Sequence, residues 1–382
     1  MIQPGEKQER ILTEVRRLVR ERIAPRAEEV DAAEDFPRGS FEAFRDYGLL
    51  KLALPEAYGG SGADTTTLSL VIEEVARGCP SSALLIFPTQ AVIRTIMTVG
   101  TKEQKERFGG FFGPGDKLAG FCLSEPNYGS DAGSIQTSAA LDGGHYVLNG
   151  AKAWVTLGGV ADCYLVFLRT DHGRHTKGIS ALLVPKDAPG VSFGRKELKM
   201  GLRGSVTAEV AFHHARAPRE NLLLGEGQGW YILTEVCNTM RVWGAASMAL
   251  GLAQGALDQA VAYAKERVQF GRLLARHQAV QFMLADMKIK VEAARALIRR
   301  TTALIDSGTG SARETETLVS ASKCFASDVA MEVTENAVQL CGAVGVRRGT
   351  PVERMMRDAK AIQIFDGSNQ IQRMIVAGRM LV

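Results

Sequence analysis

Apolar residues recur at helical spacing near both ends of the chain. Two such sets are Ile11, Val15 and Leu18 near the N-terminus, and Leu284, Val291, Ile298 and Ile305 in the last third. Side chains three, four or seven residues apart lie on one face of an α-helix, and a sustained seven-residue repeat is typical of packed bundles. The pattern predicts helices up to about residue 118 and again from about residue 226.

Between these regions the apolar residues alternate with polar or small ones. Ile135, Thr137, Ala139 and Leu141 occupy every second position, and the turn sequence at 142–144 follows them. Alternation with a period of two indicates a half-buried strand, and a Gly-rich turn after it indicates a hairpin. Segments 161–169, 178–185 and 207–213 read as further strands.

The 382 residues exceed what one ordinary core requires. We therefore predict an α+β multidomain protein of three parts. They are an N-terminal helical domain (1–118), a middle antiparallel β-domain (119–225) and a C-terminal four-helix bundle (226–382).

Composition narrows the function classes. Hydrophobic residues make up 46% and the formal net charge is only +4, with the bases scattered among acids. This argues against nucleic-acid binding. No run of 18 apolar residues and no apolar leader segment occur, so we expect neither a membrane span nor a signal peptide. The six cysteines form no metal-ligand spacing, so we expect no metal site and reduced thiols in a cytoplasm.

Two segments near the first domain boundary carry candidate chemistry. Phe121–Ser134 is a loop of hydroxyl, Gly and acidic residues that exposes backbone N–H groups to a polar ligand. It also fits a plain hairpin connection. Trp154 and Thr156 stand two apart on a predicted strand and face one side, although a core Trp beside a ladder Thr would give the same pattern.

Two later segments carry further candidates. Arg267 followed by Phe270 and Gly271 at a helix end suits a phosphate site with an aromatic lid. Asp366 directly precedes Gly367, a position that by itself is typical of a helix-cap or turn residue.

Together, Phe121–Ser134, Lys152–Thr156, Lys196–Gly225, Glu266–Gly271 and Met356–Arg373 resemble, in order, the motifs of the acyl-CoA dehydrogenase family. The resemblance covers essentially the whole chain. It implies an acyl-CoA dehydrogenase-like fold that binds FAD and oxidises an acyl-CoA thioester, with a carboxylate taking the α proton.

The resemblance also implies roles for individual residues. Asp366 stands where the family has its catalytic base, and Ser130, Arg241 and Gly367 are implied at the substrate. The implied FAD-binding residues are Phe121, Leu123, Ser124, Gly129, Ser130, Trp154, Thr156, Arg267, Phe270, Gln278, Gln339, Gly342, Ser368 and Gln370. Of these, Arg267 and Phe270 are implied to hold the FAD of a neighbouring subunit. The family further implies a homotetramer and electron-transferring flavoprotein as electron acceptor.

The chain departs from the family pattern at the base. The family commonly has Tyr-Glu where this chain has Phe365 and Asp366. Leu157 and Ala343 replace a usual Asn and Gly. An Asp carboxylate is retracted by about 1.5 Å relative to Glu. The space it leaves favours an α-branched or alicyclic acyl group such as a cyclohexanecarboxyl thioester.

Several points stay open from the sequence. The segment from Arg241 to Gly251 is one residue longer than usual, and Arg241 is assigned either to the acyl pocket or to the CoA. A flavin monooxygenase or a desulfinase on the same fold, or a catalytically degenerate flavoprotein, remains an alternative function. The carrier, CoA or acyl carrier protein, also stays open.

Overall fold

The computed structural model describes residues 5–381, so the first four residues of the predicted N-terminal domain lie outside the described part. The helices before the sheet are α1 (Glu6–Leu18), α2 (Ala27–Ala33), α3 (Arg38–Asp46), α4 (Thr65–Gly78), α5 (Pro80–Val99) and α6 (Lys102–Phe112). The side chain of Asp64 caps α4 by accepting from the Thr67 N–H, and Thr101 caps α6 in the same way. These caps satisfy N–H groups that a helix start leaves without partners.

Helix α5 lies in the centre of this region. It is the one helix in the described chain that is long and apolar enough by composition to cross a membrane, but 78% of its most apolar window is buried inside the fold. Burial by protein on all sides is what a core helix requires. The apolar residues of α5 are therefore those of a helix in the protein core.

The middle region forms one seven-stranded sheet. Its strands are β1 (Ala119–Cys122), β2 (Ser138–Asp142), β3 (His145–Thr156), β4 (Cys163–Arg169), β5 (Ile179–Pro185), β6 (Val191–Lys196) and β7 (Thr207–Pro218). The order is β1-β4-β2-β3-β7-β6, with β5 also paired to β4. The β2–β3 hairpin has the predicted turn, since Asp142 pairs with His145. Pairing is mainly antiparallel, but β1 runs parallel to β4, which the sequence pattern did not predict.

The register of the β3–β7 pair shifts between Lys152 and Val155. Trp154 lies within this bulge at φ +58°, in the left-handed region. A β-bulge bends a strand and re-aims its side chains. Here it brings the Trp154 indole to the surface, 62% exposed, while Val155 is buried.

The chain after the sheet is helical. A short α7 (Gly229–Tyr231) leads through irregular turns into α8 (Ser247–Glu266), and a small hairpin of β8 (Val268–Gln269) and β9 (Arg272–Leu273) follows. The remaining helices are α9 (Gln278–Ser307), α10 (Ala312–Cys341), α11 (Pro351–Ile362) and α12 (Asn369–Met380). Val291 and Ile298 of the predicted apolar stripe are fully buried, and α10 packs on α8, α9, α11 and α12.

The approach to α8 contains two π-helical segments, Ile232–Val236 and Arg241–Ala246. A π-segment accommodates an additional residue in a helix, and such segments occur frequently at functional sites. The second segment begins at Arg241, where we expect the chain to be one residue longer than is usual in the family. A π-helix is a structure that would accommodate such a residue.

Candidate active site

The loop that carries Asp366 joins two helices. Helix α11 ends at Ile362, and α12 begins at Asn369 with the Ser368 hydroxyl accepting from the Ile371 N–H. Asp366 and Gly367 both have positive φ, +54° and +88°. Gly adopts this conformation freely, and Asp and Asn do so more readily than most other residues. The short side chain at position 366 is therefore compatible with this turn.

The Asp366 carboxylate is the unusual group of the loop. Its Oδ2 atom is buried and has no hydrogen-bond partner among residues 5–381. Burial raises the pKa of Asp366 to about 6, against the opposing charges of Arg241 and Lys323. The Asp366 backbone N–H likewise has no acceptor in the described chain. Asp366 thus combines a carboxylate that can accept a proton with a backbone N–H that is free to donate. Abstraction of a proton next to a carbonyl uses both groups, one to take the proton and one to stabilise the negative charge on the oxygen.

Arg241 supports this loop from the protein interior. Its Nε donates to the Asp366 carbonyl at 2.9 Å, and its Nη1 donates to the Asn238 side-chain oxygen. The guanidinium therefore binds the backbone of the predicted base. These contacts give Arg241 a supporting position, and its contact with the substrate stays a prediction.

Lys323 is a residue that the sequence reasoning missed. It is fully buried in α10 and donates to the Gly367 carbonyl at 2.9 Å and to the Asn369 side-chain oxygen at 2.9 Å. A signal was present in the sequence, because Lys323 stands four residues after Val319 and three before Ala326, on the buried face of the helix. A lysine within an apolar helical face requires a polar partner in the interior.

The first two sequence motifs meet beside the bulge of β3. The Ala153 N–H donates to the Ser124 carbonyl at 2.9 Å, which joins the loop after β1 to the bulge of β3. Trp154 is exposed, Val155 is buried and Thr156 is half-buried. Trp154 and Thr156 therefore both have accessible surface, and their common contact with one ligand stays a prediction.

Several hydroxyl groups of these two joined segments have unused hydrogen-bonding capacity. Among residues 5–381 we find no intrachain hydrogen bond made by the hydroxyls of Ser124, Ser130 or Thr156. A Cβ built on Gly129 would meet no atom within 4 Å, so the surface there is open. Phe121 and Leu123 lie half-buried in the strand end beside it. An exposed aromatic ring with free hydroxyls around it fits a flat, polar-edged cofactor such as a flavin.

Buried charges hold this loop in place, and the sequence reasoning missed them. Lys152 donates to Glu125 Oε1 at 2.7 Å and to the Leu123 carbonyl at 3.0 Å, while Glu125 accepts from the N–H groups of Gln136 and Thr137. Arg169 donates to three carbonyls of the neighbouring turns, those of Gly133, Ile135 and His175. The sequence carried a signal for these buried charges, because Lys152 and Arg169 stand within segments that have the pattern of strands.

The remaining predicted cofactor residues are exposed. Phe270 is 95% exposed at the tip of the β8–β9 hairpin, where its ring contacts that of His277 edge-on. Exposed too are Arg267, Gln278, Gln339, Gly342 and Gln370, while Ser368 is half-buried. No hydrogen bond of the described chain joins this set to Trp154 or Thr156. The set therefore lies on the surface of the chain, and its contact with FAD stays a prediction.

Comparison with known sequences identifies relatives along the whole chain. Three family profiles match: acyl-CoA dehydrogenase N-terminal domain at 5–110, middle domain at 120–215 and C-terminal domain at 227–381. An acyl-CoA dehydrogenase of Bacillus subtilis is 42% identical over 96% of this chain and 96% of its own length. A cyclohex-1-ene-1-carbonyl-CoA dehydrogenase of Geobacter metallireducens is 43% identical over 99% and 98%.

Solved structures agree with the sequence matches. A chain from a study of the electron transferring flavoprotein of Acidaminococcus fermentans has TM-score 0.96 and 39% identity, covering 100% of this chain and 99% of that one. Butyryl-CoA dehydrogenase from Megasphaera elsdenii has TM-score 0.95 and 36% identity, with full coverage of both. A Mycobacterium smegmatis glutaryl-CoA dehydrogenase in complex with FADH2 has TM-score 0.90 and 25% identity, covering 99% and 95%. The predicted fold class is confirmed.

Proposed function

The chain belongs to the acyl-CoA dehydrogenase family, and on that premise we propose that Asp366 takes the α proton of an acyl-CoA thioester during α,β-dehydrogenation. Enzymes of this family are FAD-dependent oxidoreductases. The observation that carries the proposal is the Asp366 carboxylate, whose buried Oδ2 has no partner in the described chain. A carboxylate with a free oxygen is available to accept a proton.

The environment of Asp366 suits this role. The α proton of a thioester is a poor acid, and a general base works best when its pKa lies near the working pH. Burial raises the pKa of Asp366 to about 6. The carboxylate is thus ionised at neutral pH yet more basic than a solvated aspartate. Its own backbone N–H, which is free, would donate to the thioester oxygen as negative charge develops there.

The cofactor would lie against the face that carries Trp154. Ser124, Trp154 and Thr156 would hold the ring system, and Ser130 would lie beside phosphate. When bound, FAD supplies the two-electron acceptor for the hydride that leaves the β carbon. The chain's own residues orient the ring, exclude water from it and hold the base at the α carbon.

The shorter base favours a bulky acyl group. Asp366 withdraws its carboxylate by about 1.5 Å compared with Glu, which leaves space at the α carbon for a branch or a ring. We propose an α-branched or alicyclic thioester, such as cyclohexanecarboxyl-CoA. The name of the Geobacter metallireducens relative, which specifies a cyclohexene ring, supports this class.

The exposed hairpin supports an assembly of several copies. Phe270 is 95% exposed and Arg267 stands beside it. A guanidinium and an aromatic ring at the surface suit a pyrophosphate held by a neighbouring chain. We propose a homotetramer in the cytoplasm that passes electrons to electron-transferring flavoprotein.

The decisive variant is Asp366→Asn. Asn keeps the side-chain volume and tolerates the positive φ of the turn, but it cannot accept the proton. We expect FAD and substrate to bind, and anaerobic flavin reduction by acyl-CoA to slow by at least about 10²-fold. Stopped-flow flavin bleaching measures this rate. Wild-type speed in the Asn variant would exclude Asp366 as the base and favour oxygen-dependent or other flavin chemistry.

A second variant tests the substrate class. Asp366→Glu extends the carboxylate into the space assigned to the acyl branch. We expect it to slow reduction by cyclohexanecarboxyl-CoA more than reduction by butyryl-CoA. Equal effects on the two thioesters would keep Asp366 as the base and remove the argument for a bulky acyl group.

A further inference from the structure

Lys323 directs its whole hydrogen-bonding capacity at the loop that carries Asp366. Its Nζ donates to the Gln363 carbonyl at 3.3 Å, to the Gly367 carbonyl at 2.9 Å and to the Asn369 side-chain oxygen at 2.9 Å. An ammonium group has three donors, so none remains. The acceptors lie on both sides of residue 366 in sequence, and the loop is thereby held from its interior side.

No carboxylate of the described chain forms an ion pair with Lys323. The acid nearest along its helix, Asp328, accepts instead from Gln363 at 2.7 Å, from Asn369 at 2.7 Å and from Arg373 at 2.6 Å. The charge of Asp328 is thus compensated by other groups. The positive charge of Lys323 is left without a counter-ion in contact.

Other charged or titratable groups also face the loop. Arg241 approaches from the π-segment, Arg373 from α12, and the Cys324 thiol from α10; burial and Asp328 raise the pKa of Cys324. Arg241 remains charged at any working pH. Lys323 is therefore the group facing the loop that has both a buried positive charge and the ability to lose it.

We propose that Lys323 is the positioning residue of the base: it fixes the 363–369 loop through three hydrogen bonds and favours the ionised carboxylate of Asp366 through its uncompensated charge. This inference rests on the proposed role of Asp366. Lys323 does not touch the reacting atoms. It acts on them through the loop and through its electric field.

The titration behaviour of the two groups agrees with the geometry. Burial raises the pKa of Asp366 to about 6, and the charges of Arg241 and Lys323 lower it from what burial alone would give. Burial lowers the pKa of Lys323 to about 8, while Asp366 raises it. The two sites interact, so a kinetic pH profile reports the pair. Removing the Lys323 charge should move the acid limb of that profile to higher pH.

The test compares Lys323→Met with Lys323→Arg. Flavin reduction by acyl-CoA is followed anaerobically from pH 5 to 9, and FAD content is measured for each variant. In Lys323→Met the acid limb should move up by about one pH unit or more, because the variant removes a positive charge that lowers the pKa of a buried carboxylate. In Lys323→Arg the charge remains, so the limb should stay near its wild-type position even if the rate falls.

A matched control makes the same substitution near the end of helix α11, just before the loop. Lys360 is exposed and donates to the Gln363 side chain at 3.0 Å. Its charge is screened by water, so Lys360→Met should leave the limb unmoved. If Lys323→Met fails to fold, Lys323→Gln, which keeps donors but no charge, is measured in its place with the same expectation.

The outcomes separate the two proposals. Fast flavin reduction in Asp366→Asn overturns the proposed base, and the role of Lys323 with it. A slow Asp366→Asn variant, combined with a wild-type acid limb in an FAD-loaded Lys323→Met or Lys323→Gln enzyme, overturns the Lys323 inference alone. A limb that moves equally in Lys323→Arg would assign the effect to loop distortion, and this also contradicts the charge mechanism.

Discussion

Two lysines of this chain are completely shielded from solvent, Lys152 in β3 and Lys323 in α10. Each holds a loop of the candidate site. Lys152 does so together with Glu125, whose carboxylate lies 2.7 Å from the ammonium group. Lys323 binds carbonyl and amide oxygens and forms no ion pair within the described residues.

The difference shows how one residue type serves two purposes. Near Lys152 the opposite charges cancel locally, and Glu125 is further held by the N–H groups of Gln136 and Thr137. The Lys152–Glu125 pair therefore fixes the geometry of its loop and exerts little electric field on groups farther away. Near Lys323 the dipoles of the loop stabilise the cation without neutralising it. Its field extends to Asp366, where the proposed chemistry needs an ionised carboxylate.

The largest expected effect comes from breaking the compensated pair. Lys152→Met leaves Glu125 buried without its counter-ion, which typically costs about 3 to 5 kcal/mol. Lys323→Met leaves no carboxylate without an ion-pair partner and removes the burial cost of a charge. It should cost less, about 1 to 3 kcal/mol for its unsatisfied acceptors. Urea unfolding of both variants measures the free energies of unfolding.

A double variant checks the reason for that difference. Glu125→Gln added to Lys152→Met removes the stranded charge while an amide oxygen still accepts from the backbone. Part of the lost stability should return, with a coupling energy of about 1 to 3 kcal/mol. Purely additive losses, or a Lys323→Met cost equal to that of Lys152→Met, would contradict the contrast between the two lysines.

The next effect concerns pH. The pKa of Asp366 rises from 3.8 to about 6 on folding, so the folded state binds the extra proton between these values. The stability from this group is present below about pH 4 and is lost as pH rises through 6. Burial alone raises the pKa of Glu125, but Lys152 and two backbone N–H groups lower it overall. Its contribution has the opposite sign and is lost on acidification.

Unfolding at pH 4.5 and pH 7 distinguishes the two acids. The stability of Asp366→Asn relative to the wild type should be higher at pH 7 than at pH 4.5, because the variant lacks a carboxylate whose ionisation opposes folding. Glu125→Gln should lose more stability relative to the wild type at pH 7 than at pH 4.5. If the stabilities of the two variants changed with pH in the same way, both carboxylates would be compensated by their surroundings to the same degree.

The smallest expected effect on stability lies in the exposed hairpin, which neither lysine touches. Arg267→Ala should change the unfolding free energy of the FAD-free chain by no more than about 0.5 kcal/mol, as surface substitutions usually do. FAD retention should nevertheless fall, because charge-assisted contacts to phosphate are strong. Gel filtration with flavin absorbance measures retention, and unchanged retention would contradict a shared cofactor site.

The sequence predicted those parts of the molecule that depend on local pattern. The turn at Asp142–Gly144 and the apolar stripe through Val291 and Ile298 follow from spacing alone, and both are confirmed. The parallel pairing of β1 with β4 joins segments that lie about forty residues apart. No local spacing specifies such a partner.

The site was predictable where it resembles a family motif and not where charges meet through space. Trp154 and Asp366 stand in recognisable strings. The contact between Lys152 and Glu125 and the contact between Lys323 and Gly367 join residues 27 and 44 positions apart. The apolar face around Lys323 indicates that the lysine is buried, but its partners on the 363–369 loop become visible only once the helices are packed.

The π-helical segment at Arg241–Ala246 has a consequence for how this protein tolerates insertions and deletions. Each residue of an α-helix turns the chain by about 100°, so an extra residue in a regular helix would rotate everything before it away from its contacts. A π-segment absorbs the extra residue within a single turn. Helix α8 therefore keeps its packing while Arg241 keeps its hydrogen bond to the Asp366 carbonyl. Deleting one residue within 242–246 would restore regular winding and move the guanidinium off the loop, so chain length at this point would set the alignment of the loop that carries Asp366.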